Sequence, residues 1–235
     1  MHDEVVVEAS GLVETEDRAG MTKGLGEVAP PRVYLRDTPA TVPDAAIREL
    51  ARKATGEGSL ARMHGLMHIV REQIEFEVGA THAHTTGSQA LAEGKGVCQD
   101  YAHILISAAR TLAIPARYVS GYLASDAVTH SEAAHAWCEA WIDGLGWIGF
   151  DAANGVCPTD RYVRVACGLD AAGAAPIRGS RHGGEQQSLD VIVEVQQQGG
   201  QQGQSPDQQG GGQQGQGQQG EQGQGPGQRQ RGKGD

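Results

Sequence analysis

The sequence predicts an α+β fold in which helices come first and an antiparallel sheet follows. Two observations carry this: apolar residues recur at helical spacing through the first half, and beyond Ile114-Pro115 they change to short runs rich in β-branched and aromatic residues. A third observation limits the core. Residues 196–235 hold only Gln, Gly and a few Ser, Pro, Asp, Glu, Arg and Lys. A tail of that composition has nothing to bury, so disorder is expected there. The expected organisation is a strand remnant and linker over 1–43, a core over 44–195 and the Gln/Gly-rich tail over 196–235.

Taken in order, residues 4–13 read as a short strand, and 24–43 as a loop broken by Pro30-Pro31 and Pro39. Asp44 is a candidate N-cap for a helix carrying Ile47, Leu50 and Ala51. A second helix starts near Ser59, with Leu60, Met63, Leu66, Met67, Val70 and Ile74 on one stripe. Gly94-Lys95-Gly96 then breaks the chain just before Val97-Cys98. From there Val97, Tyr101, Ile104, Leu105, Ala108 and Leu112 form a third stripe, which places Cys98 at a helix N-terminus. Strands are expected over 116–123, 135–142, 146–151, 162–166 and 189–195.

A formal charge of -10 and a pI near 5.3 argue against a nucleic-acid partner, which calls for a basic face. The sequence shows neither an apolar stretch long enough to span a bilayer nor a basic-then-apolar leader, so a cytoplasmic protein without a membrane partner is expected. Four cysteines are too sparse for a disulfide framework.

Cys98 has the setting a nucleophilic thiol needs, because the free amides and dipole at a helix start favour an anion. The glycines before it offer room for a substrate backbone. The plain alternative is a packed helix cysteine. Further along, His135 to Ile142 and Gly146 to Asp151 read as a β-hairpin. A three-residue loop over 143–145 pairs Ile142 with Gly146 and His135 with Ala153, and puts Asp151 on the same face as His135. A loop of even length puts it on the other face.

Three blocks, Gly94-Lys-Gly-Val-Cys-Gln-Asp-Tyr-Ala-His103 with Ile114-Pro-Ala-Arg-Tyr-Val-Ser-Gly-Tyr-Leu123, Ala134-His-Ala-Trp-Cys-Glu-Ala-Trp141 and Gly146-Trp-Ile-Gly-Phe-Asp151, resemble the nucleophile, histidine and aspartate segments of bacterial transglutaminase-like proteins. The resemblance spans about residues 30–195. It implies a papain-like core with Cys98 as nucleophile, His135 as base and acid, and Asp151 orienting His135. The implied activity is cysteine-dependent amide hydrolysis on a peptide or protein substrate, as a peptidase or deamidase, with transglutaminase crosslinking of protein glutamine close behind and no cofactor or metal required. A non-catalytic binding module on the same fold is the further alternative, disfavoured because all three polar residues are present.

The chain departs from related patterns. Eukaryotic transglutaminases place an oxyanion-binding Trp upstream of the nucleophile, whereas Trp137, Trp141 and Trp147 all lie downstream. That leaves the backbone amide of Cys98 as oxyanion donor, with Gln89 a weaker candidate for a second. Ala152 stands where relatives commonly have Pro, and relatives carry N-terminal strands before the equivalent of residue 1, which implies a shortened start. His64, His68, His82 and His84 are spaced as two pairs that a zinc ion would use only if they converged; a cleft or structural role is the simpler reading for His82 and His84. His103 lies five residues along the helix from Cys98, on a different face. Cys138, Cys157 and Cys167 read as packed thiols, Asp100 as a carboxylate complementing the helix dipole, and Arg117 with Glu139 as a conceivable buried ion pair. The Gln-rich tail with Lys233 needs no more than low complexity to explain it.

Overall fold

In a computed structural model the described residues are 6–22, 24–26, 29–124 and 134–177. The chain runs through β1 (Met21–Thr22), a 3-10 turn (Pro31–Leu35), α1 (Ala45–Lys53), α2 (Gly58–Gln73), β2 (Glu75–Phe76), α3 (Gly87–Glu93), β3 (Lys95–Gly96) and α4 (Cys98–Thr111). It continues into β4 (Ala116–Leu123), β5 (Ala134–Ile142), β6 (Gly146–Phe150) and β7 (Tyr162–Gly168). Helices precede an antiparallel sheet of order β1-β6-β5-β4-β7, so the fold is α+β.

The helices start where local chemistry lets them. Asp44 accepts a hydrogen bond from the Ile47 amide at 2.9 Å and caps α1. Thr86 and Gln89 close a capping box at the head of α3, a helix that the sequence reading passed over although Thr86-Gly-Ser-Gln89 carries its signature. Gly94 ends α3 in the left-handed conformation, at φ 68°. Gly96 answers a close approach, since a Cβ there would stand 2.7 Å from Asp100 Oδ2. The two glycines therefore serve the turn after α3 and the approach of the Asp100 side chain.

α4 is the central element. Its residues from Asp100 to Arg110 are all buried, with α1, α2 and α3 on one side and the sheet on the other. Ile104, Leu105 and Ile106 are fully buried among Ile47, Met63, Leu66 and Val70 and, from the sheet, Ala136, Cys138, Ala140 and Phe150. Each such side chain contributes about 1.5–3 kcal/mol of burial.

Alternation sorts the sheet. Even-numbered residues of β5 face α4, while Trp137 and Glu139 face the other way. On that second face Arg117 Nε lies 2.7 Å from Glu139 Oε2, its guanidinium 3.9 Å over the Trp147 ring, and Arg164 Nε 2.8 Å from Glu139 Oε1. The conceived ion pair exists, and Arg117 and Glu139 sit directly opposite in register.

The strand expected at 4–13 does not form over residues 6–13. Val6, Val7, Leu12 and Val13 are 59–85% exposed, and no strand among the described residues holds them. The N-terminal strand is instead β1, which pairs Met21 with Ile148 and Thr22 with Trp147. The strand expected at 189–195 and the tail at 196–235 lie outside the described residues. Among the described residues no helix is long and apolar enough to cross a membrane.

Candidate active site

Cys98 is the first residue of α4. Val97 precedes it as N-cap with no side chain able to accept a hydrogen bond, so the leading amides of the helix have no side-chain cap. Asp100 reaches back instead, its Oδ2 accepting from the Val97 amide at 2.8 Å and from Thr81 Oγ1 at 2.6 Å. Asp100 is fully buried, and burial raises its pKa despite those two bonds. It braces the turn that carries Cys98.

β4 returns along α4, so its far end and the start of β5 come level with the helix N-terminus. Gly121 pairs with His135 there, and the half-buried Cys98 is close enough to act on the His135 ring, one of the groups that raise its pKa. The hairpin loop has the odd length the site requires: Ile142 pairs with Gly146 and Cys138 with Phe150. The ladder stops at Phe150, so His135 does not pair with Ala153. Asp151 instead bridges Val156, its amide 2.9 Å from the Val156 carbonyl oxygen, and the chain curls there. That curl leaves Asp151 Oδ2 2.6 Å from His135 Nε2. With Nε2 committed to Asp151, the ring nitrogen left for the thiol is Nδ1.

The electrostatics follow from burial and partners. Burial opposes charge on His135, but its hydrogen bonds to Asp151 and Cys98 and their negative charges outweigh this and raise its pKa to about 9. Burial likewise opposes charge on Asp151, yet His135, Asn154 and Tyr162 together hold its carboxyl below the ordinary value. The arrangement favours an imidazolium between two anion-forming groups.

Two residues that the sequence reading did not single out complete the surroundings of Asp151. Asn154 donates its backbone amide to Oδ1 at 3.1 Å and its side-chain amide to Oδ2 at 2.7 Å, and Tyr162 donates its hydroxyl to Oδ2 at 2.8 Å. Asn154, three residues after Asp151, lies within local reach of its carboxylate; Tyr162, on another strand, gave no local signal. Trp137 stacks on His135 with centroids 6.3 Å apart, and Tyr162 meets the same ring edge-on at 5.9 Å.

The other candidates lie elsewhere. His103 is buried against Tyr118 and its Nε2 accepts the Ala171 amide at 3.1 Å. Burial, only partly opposed by the Asp170 charge, brings its pKa down to about 4, so it is a neutral structural ring. His64 packs on Phe150, His68 is exposed, and His82 and His84 are exposed neighbours; among the described residues no group of metal-binding side chains converges. Gln89 spends its amide oxygen on Thr86. Burial raises the thiol pKa of Cys138 and of Cys157, as suits packed cysteines.

Comparison with known proteins bears on the family and the fold. The model of the Transglutaminase-like superfamily matches residues 45–152. An uncharacterized protein of Mycobacterium leprae is 33% identical over 213 residues, covering 83% of this chain and 74% of its own length. One of Mycobacterium tuberculosis is 34% identical over 131 residues, 51% of this chain and 42% of its own. The crystal structure of a candidate cysteine protease from Cytophaga hutchinsonii is 30% identical with a TM-score of 0.52, over 68% of this chain and 55% of that one. The chain thus spans little more than half the length of that structure.

Proposed function

The chain belongs to the transglutaminase-like superfamily, and on that footing we propose that it cleaves amide bonds in peptides or proteins through a Cys98-His135-Asp151 triad and a thioester intermediate. The observation that carries this reading is the 2.6 Å contact of His135 with the buried Asp151, with Cys98 acting on the same ring from the first residue of a helix that has no side-chain cap.

His135 takes the proton of Cys98, and the thiolate attacks the amide carbonyl carbon. The backbone amide of Cys98 donates to the oxyanion that forms. Collapse of the tetrahedral intermediate breaks the C–N bond, and the imidazolium gives its proton to the leaving amine. Water, deprotonated by His135, then attacks the thioester and frees the acid and the thiol. Asp151 keeps the ring in the tautomer that points Nδ1 at sulfur and stabilises its cation. Water is favoured over an amine as acceptor because the C. hutchinsonii protein is described as a candidate cysteine protease.

The test is trapping with a peptide-like thiol-reactive probe and mass mapping of the modified residue, followed by incubation with a peptide pool with and without a primary amine. Labelling at Cys98 that depends on His135, with product masses showing addition of water, supports the proposal. Amine adducts in place of hydrolysis would make it a crosslinking enzyme. No labelling at Cys98, with a well-folded protein, would leave a binding module on the same fold.

A further inference from the structure

Asp151 is charged and almost wholly enclosed, and its neutral partners reach it from two directions. Asn154 does so from its own turn. Tyr162 does so from β7, the strand at the far edge of the sheet from β6, and lies beyond the residues the superfamily model matches. Tyr162 also packs its ring against His135 and Trp137, so one side chain touches two members of the triad, Asp151 and His135, at once.

We propose that Tyr162 is a positioning residue for the triad, its hydroxyl fixing the Asp151 carboxylate and keeping it ionised while its ring holds the His135 imidazole in plane. This deepens the reading above and rests on it. The argument begins with donors. A carboxylate that can only accept obliges Asn154 to present its NH2 side, and Tyr162 can give only its O–H. Burial, with the adjacent Asp151 charge, raises the Tyr162 pKa, so that proton stays on the phenol. Asp151 Oδ2 thus receives His135 Nε2, Asn154 Nδ2 and Tyr162 OH at 2.6–2.8 Å. Neutral donors that stay in place when His135 changes charge let His135 take and return a proton without Asp151 joining in.

Other charges nearby are already engaged. Arg161, beside Tyr162, donates to the Ala124 carbonyl oxygen from Nε and NH2, and Arg71 of α2 donates to the Ala153 carbonyl oxygen. The titration of Asp151 therefore answers to His135, Asn154 and Tyr162 ahead of these.

The test uses the full chain and the conservative variant Tyr162→Phe, which keeps the ring and removes the hydroxyl, with Asn154→Ala as companion. Titration of the Asp151 carboxyl carbon by NMR should show about a tenfold loss of acidity in Tyr162→Phe. The rate of Cys98 alkylation by iodoacetamide near neutral pH should fall severalfold, and less than in Asp151→Asn. A side chain that only packs would move neither quantity. An Asp151 titration unchanged in Tyr162→Phe overturns the proposal. Failure of the triad reading is separate: it shows as Cys98 alkylation indifferent to His135→Ala, whatever Asp151 does.

Discussion

Asp151 Oδ2 lies 2.6 Å from His135 Nε2, across a hairpin whose three-residue loop sets both side chains on one face. Burial opposes charge on His135, but this contact together with Cys98 raises its pKa to about 9, above the ordinary value of 6.5. The sign follows: the imidazolium and the stability it contributes are complete below pH 6.5 and are lost as pH rises through about 9. Cleavage that needs His135 as acid should decline above about pH 9, and Asp151→Asn should bring that limb down toward the ordinary histidine range. The rate should fall by a factor on the order of 10⁴. An NMR titration of His135 checks this, and an unmoved midpoint in Asp151→Asn refutes it.

The thiols differ in setting, and alkylation should sort them. Cys98 has an imidazolium partner that persists to about pH 9, while burial raises the thiol pKa of Cys138 and of Cys157. Iodoacetamide at pH 6 should label Cys98 well ahead of Cys138, Cys157 and Cys167, as read by peptide mass mapping. His135→Ala should erase most of that preference. Even labelling of all four thiols would return Cys98 to the status of a packed helix cysteine.

What was legible in the sequence was whatever local pattern controls. Asp44, the Leu60-to-Ile74 stripe and the Cys98 helix announced themselves by capping and period, and the parity of the 143–145 loop gave the face of Asp151, while the curl after Phe150 that completes its contact with His135 was not legible. Tertiary packing decided the rest. Val6, Val7, Leu12 and Val13 have strand chemistry but no partner strand among the described residues, so propensity alone misplaced β1. Tyr162 was legible as a strand residue, but its bond to Asp151 depends on β7 and the turn after β6 meeting in space.

The face of the sheet away from α4 is held by charge. Glu139 is 1% exposed and accepts from Arg117, Arg164 and Thr22. Glu139→Gln would leave Arg117 buried without its anion, which costs on the order of 3–5 kcal/mol. Urea unfolding of the variant should show that loss with an unchanged dependence on denaturant, and a loss under 1 kcal/mol would mean that Arg117 is satisfied without Glu139. Replacement of Arg164, whose side chain is 24% exposed, should cost less.

The last expectation concerns acid. His103 is buried on α4 and uses Nε2 as an acceptor for the Ala171 amide, which it can do only while that nitrogen carries no proton. Burial, partly opposed by the Asp170 charge, lowers its pKa to about 4 against the ordinary 6.5. In the unfolded chain the ring binds a proton near pH 6.5, whereas in the folded protein it does so only near pH 4, so acid favours unfolding throughout that window. The stability held by the neutral ring is complete above pH 6.5 and falls by about 3 kcal/mol as pH drops to 4. His103→Gln offers the Ala171 amide a carbonyl oxygen in place of Nε2 and has nothing to titrate. Unfolding free energies measured from pH 7 to 4 should therefore fall more steeply for the wild-type chain than for His103→Gln. Parallel slopes would show that acid acts through other groups, and that the His103 ring tolerates its second proton in the folded state.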